Sequence, residues 1–138
     1  MEKKKVIFFM VVFAIVLIGS ITLTYSKLFI LGMKEVDFSV KVGDNVGLNV
    51  DTDQLYFGIV PKVGGVSSRS IFIQNEAHSI AKVHIKSYGE KKEWLYASKN
   101  NFFLKKEEGE NIEFRMKVPK DAEPGTYEGR ILIIFTRF

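Results

Sequence analysis

The sequence predicts an all-β domain of the sandwich type that follows one N-terminal membrane-spanning helix. Three observations carry this prediction. Residues Val6–Ser26 contain no charged side chain. Beyond residue 33, apolar and polar residues alternate with a period of two in several short segments, as half-buried strands do. Turn-forming residues separate these segments at a spacing of roughly ten residues, which is typical of sandwiches and small barrels.

Composition excludes several classes of protein. The chain has 138 residues and no Cys, so a disulfide scaffold, a zinc ribbon and a thiol enzyme are excluded. Residues 1–33 hold four lysines and one acid, a net charge of +3, whereas residues 34–138 hold 16 basic and 15 acidic residues, a net charge of +1. A nucleic-acid binder would concentrate its basic residues on the folded domain. We therefore expect no nucleic-acid partner.

The uncharged run Val6–Ser26 is long enough to cross a bilayer as a helix. At about 1.5 Å per residue it would rise roughly 30 Å, the hydrocarbon thickness of a membrane. Lys3, Lys4 and Lys5 precede it, and no equal cluster follows, so the positive-inside rule places the N-terminus in the cytoplasm. The side chains expected to contact the lipid bilayer are Val6, Ile7, Phe8, Phe9, Phe13, Ile15, Leu17 and Ile18.

The apolar stretch continues through Leu28–Met33, which is expected to extend the helix beyond the membrane. This sets a boundary between an anchor of residues 1–33 and an extracytoplasmic domain of residues 34–138, with a linker of a few residues around Gly32–Glu35. The predicted protein is therefore a single-pass protein of the cell membrane whose domain stands close to the bilayer.

A cleaved secretory signal is the alternative to an anchor. Thr24 and Ser26 are acceptable small residues before a cleavage site, but there is no Ala-x-Ala. The apolar run is also longer than the 7–15 residues usual for the apolar region of a signal. An uncleaved anchor is favoured, and both interpretations export the domain.

The strands are predicted from alternation and from the turns between them. Alternation is direct at Phe38–Val42, Val46–Val50, Lys82–Lys86 and Ile112–Val118. Further strands are predicted at Leu55–Val60, Arg69–Gln74, Trp94–Ala97, Phe102–Lys105 and Tyr127–Phe138. No helical crossover separates them, so a parallel sheet is excluded. We predict an antiparallel β-sandwich, with a small barrel as the alternative.

Three segments have a recurrent pattern. They are Leu55–Pro61 (LYFGIVP) followed by Gly64–Asn75 (GGVSSRSIFIQN), Gly89 followed by Trp94, and Val118–Ile131 (VPKDAEPGTYEGRI). Together they resemble the opening, middle and closing motifs of extracytoplasmic immunoglobulin-like domains of prokaryotic, above all archaeal, membrane-anchored surface proteins. The resemblance covers about residues 50–137. It implies an immunoglobulin-like sandwich with a role in adhesion, scaffolding or presentation and without a catalytic apparatus.

The closing segment also has a simple physical interpretation. Pro119 ends a strand because it cannot donate to the ladder, and Pro124 with Gly125 supplies a turn. Tyr127 then begins the last strand, where its ring can be buried and its hydroxyl can bond back to the preceding loop, as in the tyrosine corner of immunoglobulin-like folds. Gly129 allows a neighbouring ring or backbone to approach closely.

Candidate chemical residues are few, and each has a structural interpretation. His78 lies in a turn and His84 on a polar strand face, with no convergent ligands. Asp51 and Asp53 are a close carboxylate pair, but calcium needs six or more oxygen ligands, so we interpret them as turn formers. Trp94 could stack on a sugar, although the single Trp of a small sandwich is usually core. Without a Gly-x-Ser-x-Gly or Ser-His-Asp arrangement, we predict no enzyme, no metal and no cofactor.

The last strand is apolar on both faces. One face carries Ile131, Ile133 and Phe135, and the other carries Leu132, Ile134 and Phe138. In a two-layer sandwich the outer face has no second layer, so the second row is either covered by a loop or by residues near the anchor, or forms an interface with another protein.

These observations predict a membrane-anchored, non-enzymatic surface module for binding or structure. Its expected partners are the lipid bilayer and another surface or envelope protein. The alternative is an accessory subunit of a surface filament or envelope complex, in which the sandwich docks onto a lattice or motor component. A stable stoichiometric partner would favour the complex, whereas a free monomer would favour the module.

Overall fold

A computed structural model describes residues 2–43, 54–61 and 64–138. In these ranges one helix, α1, spans Glu2–Phe29 and is followed by strands β1 Ile30–Gly43, β2 Leu55–Pro61, β3 Val66–Gln74, β4 Ala81–Gly89, β5 Leu95–Ala97, β6 Phe102–Leu104, β7 Gly109–Lys117 and β8 Gly125–Arg137. A short 3-10 turn, Lys92–Trp94, precedes β5. The predicted strand Val46–Val50 lies outside the described residues.

The strands form two sheets. Sheet A has the order β2-β1-β8-β4-β6, and sheet B has the order β3-β7-β5. The core lies between them and is built from the apolar positions of the alternating pattern: Phe38, Val40, Val83, Ile131 and Ile133 from sheet A, and Ile112, Phe114 and Met116 from sheet B. Fully burying each such side chain stabilises the fold by about 1.5–3 kcal/mol. The prediction of a largely β protein with an apolar N-terminal helix is confirmed.

One strand pair contradicts the antiparallel prediction. β1 and β2 run parallel, with Phe38 opposite Leu55 and Val42 opposite Val60. A parallel pair requires a crossover of about a dozen residues, and the 11 residues 44–54 between β1 and β2 nearly reach this length. The exclusion of parallel pairing was wrong because it assumed that the crossover must be helical.

Helix α1 ends earlier than the sequence predicts. The apolar residues Ile30–Met33 do not extend the helix; they open β1 and pair with the end of β8, with Ile30 opposite Thr136 and Met33 opposite Ile134. The segment Gly32–Glu35, expected to be a linker, lies within the same strand. Apolar content does not distinguish a continuing helix from a strand, and the pairing partner lies at the far end of the chain. The helix therefore leads into the sandwich without a spacer.

The closing motif forms the predicted corner. The Tyr127 hydroxyl donates to the Glu123 carbonyl oxygen at 2.9 Å, and the Tyr127 ring packs edge-on against Trp94 with centroids 5.2 Å apart. Trp94 is buried, as predicted for a core residue, although it ends the 3-10 turn rather than starting a strand. The predicted close approach at Gly129 is also confirmed, because the Phe38 ring lies against it.

Side chains bridge the sheets at one edge of the sandwich. Arg69 Nε of β3 donates to the Tyr56 carbonyl oxygen at 3.0 Å, and Ser67 Oγ donates to the Phe57 carbonyl oxygen at 2.7 Å. Backbone acceptors on the β2 edge thus gain partners, which makes this edge less available for pairing with another chain.

Sheet A curls around the core like half a barrel. Its outer face carries Leu132 and Ile134 of the predicted second row.

Candidate functional site

The outer face of sheet A is the candidate functional site. Along β8, Ile131, Ile133 and Phe135 are buried against sheet B, whereas Leu132 and Ile134 point to the opposite face and are half-buried. This is the alternation expected of a strand whose inner face lines a core. The two-faced apolar character of β8 therefore places one row in the core and leaves Leu132 and Ile134 on the outside.

Neighbouring strands surround this row. Ile134 lies opposite Met33 of β1 and His84 of β4. Leu132 lies opposite Glu35 of β1 and Lys86 of β4. Met33, from the segment next to α1, thus extends the apolar row sideways within the sheet instead of covering it. We call Leu132, Ile134 and Met33 the apolar row.

An ion-pair cluster borders the apolar row on the side away from α1. The Arg130 guanidinium group of β8 pairs with the carboxylates of Glu35 and Asp37 on β1, and its Nε lies 3.2 Å from Asp37 Oδ1. These side chains line a depression of about 650 Å³ together with Tyr88 and Leu132. Because the three ionic groups are about half exposed, the cluster contributes at most about 1 kcal/mol to stability. The cluster places one guanidinium group and two carboxylates at the edge of the depression.

The third residue of the predicted row, Phe138, is separate from the other two. It lies beyond the end of β8, where its ring packs edge-on against Phe103 of β6 with centroids 5.0 Å apart. Phe138 is 86% exposed. Lys82 Nζ lies 5.8 Å from the centroid of the Phe103 ring, close enough for a cation–π contact. Phe138 therefore belongs to an aromatic and basic group at the α1 end of sheet A.

The other candidate residues do not converge. His84 Nδ1 lies 2.7 Å from Asn101 Oδ1, and His78 is exposed in the loop before β4. Asp51 and Asp53 lie outside the described residues. Within residues 2–43, 54–61 and 64–138, no group of three or more His, Asp or Glu side chains could hold a metal ion.

Helix α1 exposes every predicted anchor side chain. Its most apolar window has a mean hydropathy of 2.9, and none of that window is buried. Three of its hydroxyl groups donate to carbonyl oxygens one turn earlier: Ser20 Oγ to Val16, Thr22 Oγ1 to Ile18 and Thr24 Oγ1 to Ser20, at 2.8–2.9 Å. The helix is long and apolar enough to cross a membrane, and a signal sequence would meet the same criterion.

No protein-family model matches the chain, and no match is found among curated proteins. The chain is similar to two solved structures of DraE adhesin in complex with chloramphenicol succinate. The first is 10% identical with a TM-score of 0.45, covering 78% of this chain and 97% of that chain. The second, a monoclinic form, is 10% identical with a TM-score of 0.47, covering 80% and 99%. A likeness this distant carries no conclusion about function or partner.

Sequence reasoning found Leu132 and Ile134 but missed what surrounds them. The Arg130 cluster joins residues of β1 and β8 that are far apart in the chain, and the Phe103–Phe138 pair joins β6 to the C-terminus. No local pattern indicates either contact. Residues Phe102–Leu104 are all apolar, so alternation of residue type could not show that Phe103 is the one that faces outwards.

Proposed function

We propose that the protein is a membrane-anchored, non-enzymatic surface module whose immunoglobulin-like sandwich stands outside the cell. The observation that supports this best is the exposure of α1, whose most apolar window has a mean hydropathy of 2.9 and no buried residue. None of the residues that the structure describes covers this apolar window, and a bilayer would supply the missing cover. The N-terminus is on the cytoplasmic side because of Lys3, Lys4 and Lys5.

The hydroxyl groups of α1 suit a lipid environment. A polar side chain in hydrocarbon must satisfy its hydrogen bonds within the protein. Ser20, Thr22 and Thr24 do so through the carbonyl groups of the preceding turn. The apolar helix can therefore lie in hydrocarbon at these three positions without leaving a hydroxyl unpaired.

The full-length protein is expected to stay in the membrane pellet after carbonate extraction and to keep Met1 or Glu2 as its N-terminus. Protease added from outside should remove the sandwich and leave α1 protected. Replacing Ile15 and Ile18 together by Arg should release the protein from the pellet, because each Arg at a helix centre opposes insertion by about 3 kcal/mol. Mature protein that starts near Lys27 in the soluble fraction would establish the cleaved signal instead.

The apolar row supports the partner side of the proposal. The row combines the half-buried Leu132 and Ile134 with the exposed Met33 in the five-stranded sheet. Bordered by the Arg130 cluster, it has the anatomy of an interface core with a polar rim. We propose that it contacts another surface or envelope protein. A stable stoichiometric partner would make the chain an accessory subunit of a surface filament or envelope complex, which is the second candidate function.

Replacing Leu132 and Ile134 together by Thr is expected to abolish co-purification with that partner while the sandwich stays folded. Threonine keeps the β-propensity of the strand, and both side chains are only partly buried on the outer face, so the unfolding free energy should fall by less than the roughly 4–10 kcal/mol expected for two large-to-small changes in a core. The matched control replaces Val66 and Tyr96 by Thr, which removes exposed apolar groups from sheet B. If association survives in the Leu132 and Ile134 variant, or is lost equally in the control, the apolar row is not the interface.

A further inference from the structure

Exposed apolar side chains of the sandwich concentrate at the end where α1 enters. Beyond α1, the described residues include nine large apolar side chains that are exposed. Six of them lie at this end: Ile30, Met33, Phe72, Ile80, Phe103 and Phe138. A folded surface usually scatters such residues singly. Their concentration at one end indicates that another molecule or a membrane covers this surface when the protein functions.

Strand register fixes the level of this group relative to the helix. Ile30, the first residue of β1, lies opposite Thr136, Thr136 lies opposite Lys82, and Lys82 lies opposite Phe103. These four residues form one line across sheet A, and three strand spacings make it about 14 Å long. Phe103 is therefore level with the first residue after α1.

Phe138 reaches further towards the helix than this line does. It is two residues beyond Thr136 on a strand that runs towards α1, and each residue of a strand advances about 3.3 Å. Its ring packs against Phe103 and is otherwise exposed. If α1 crosses the membrane and Ile30 leaves it, the aromatic pair lies at the level where hydrocarbon meets headgroups.

The charged residues at this end suit the same environment. Lys82 lies beside the Phe103 ring, Arg137 precedes Phe138, and Lys105 follows β6. Lysine and arginine beside aromatic rings are typical of the membrane interface, where the rings lie among headgroups and the cations bind lipid phosphates. Cations near an anionic surface each add about 1 kcal/mol to membrane binding.

We infer that the Phe103–Phe138 pair inserts into the interface of the outer leaflet, with Lys82 and Arg137 at the lipid phosphates. The inference rests on the proposed function, because it requires α1 to span the bilayer. The lipid contact gives the sandwich a second attachment point beside the helix. It holds sheet A upright on the membrane, with the apolar row just above the headgroups and facing sideways towards a neighbouring protein.

The absence of native cysteine allows this to be tested with single labels on the full-length chain. The variants Phe103→Cys, Phe138→Cys, Ile15→Cys and Val66→Cys each receive one environment-sensitive fluorophore. The protein is reconstituted in vesicles of mixed zwitterionic and anionic phospholipid. Quenching by a nitroxide on the lipid chain is compared with quenching by aqueous iodide. Val66 is the control because it is exposed and begins β3 at the end of the sandwich away from α1.

Labels at 103 and 138 are expected to be quenched several-fold more by the lipid nitroxide than the label at 66, which iodide should quench most. The label at 15 reports the anchor independently. If the label at 15 is in lipid while those at 103 and 138 behave like the label at 66, the lipid contact is wrong and anchoring stands. If iodide reaches the label at 15, anchoring itself fails and the lipid contact fails with it.

Discussion

Replacing Gly129 by Ala is expected to destabilise the sandwich by about 3 kcal/mol, at the upper end of the cost of overpacking a core. A methyl group at this position would lie 2.5 Å from Phe38 Cζ and would also collide with the Tyr88 carbonyl oxygen. Phe38 is almost completely buried, with only 1% of its surface exposed. Neither the ring nor the backbone oxygen can withdraw without opening the core or breaking the ladder.

The location of Gly129 in sheet A makes the collision difficult to relieve. It lies between Phe38 of β1 and Gly89 of β4 in the middle of the sheet. Gly89 has a φ of 106°, and a methyl group there would lie 2.5 Å from Gly129 Cα. The two strands approach closely at this point because both residues lack a side chain. A shift of β8 away from Phe38 would be transmitted directly to β4.

Gly125 on the same strand is the matched control. A methyl group there would have no heavy atom nearer than 3.8 Å, an ordinary contact with Tyr127. Urea unfolding of residues 30–138, followed through the fluorescence of the single buried Trp94, compares Gly129→Ala with Gly125→Ala. Equal midpoints for the two variants would show that Phe38 does not fill the space beside Gly129. The piece begins at Ile30 because starting at 34 would remove the first four residues of β1.

The sequence predicts those parts of the fold that are determined by neighbouring residues. The alternation at Ile112–Val118 predicts a strand with one buried face, and each apolar residue of that segment is buried. Pro124, Gly125 and Tyr127 lie within a few residues of one another, so their turn chemistry determines the corner between the loop and β8. Such features depend on the backbone preferences of individual residues and on the spacing of apolar residues, both of which can be read directly from a short stretch of sequence.

The failures are all contacts between distant parts of the chain. The apolar composition of Ile30–Met33 is compatible with either a helix or a strand. The segment forms a strand because its backbone hydrogen-bonds to the end of β8. The parallel pairing of β1 with β2 likewise depends on which edge of sheet A is free. Phe103 and Phe138 could not be joined from sequence, since their contact requires the register of β4 with both β6 and β8.

In the described part of the chain, Asn75 is the one buried side-chain amide, and it ties the two sheets together at the α1 end. It follows β3 of sheet B and is only 1% exposed. Its Nδ2 donates to the carbonyl oxygens of Ser79, Leu104 and Lys105 at 2.8–3.0 Å. Its Oδ1 accepts from the Ala77 backbone N–H at 3.1 Å. One side chain thus fixes the loop before β4, which carries Ile80, and the junction between β6, which carries Phe103, and the turn that follows it.

Replacing Asn75 by Ala is expected to lower the unfolding free energy by about 3 kcal/mol, because buried carbonyl groups lose their donor and each unsatisfied group costs about 1–3 kcal/mol. Asn75→Asp has nearly the same shape but replaces the donating amide group with an acceptor. At neutral pH, Asn75→Asp should destabilise the fold at least as much as Asn75→Ala does. Because Asp keeps the volume of Asn, this result would attribute the loss of stability to the missing hydrogen bonds and not to a cavity. The control Asn111→Ala removes an exposed amide from β7 and should change stability by less than about 0.5 kcal/mol.

The Asn75 variants also connect the fold to the membrane contact. If the amide holds the loop and the turn in place, Asn75→Ala should loosen the α1 end before the rest of the sandwich unfolds. Amide hydrogen exchange should then accelerate first at Ala77, Lys105 and Glu107, whose N–H groups are hydrogen-bonded within this loop and turn. The label at 103 should then lose part of its quenching by the lipid nitroxide, while the label at 15 stays unchanged. Uniform acceleration of exchange across both sheets would instead show that Asn75 supports the core as a whole, with no particular role in presenting the aromatic pair to the bilayer.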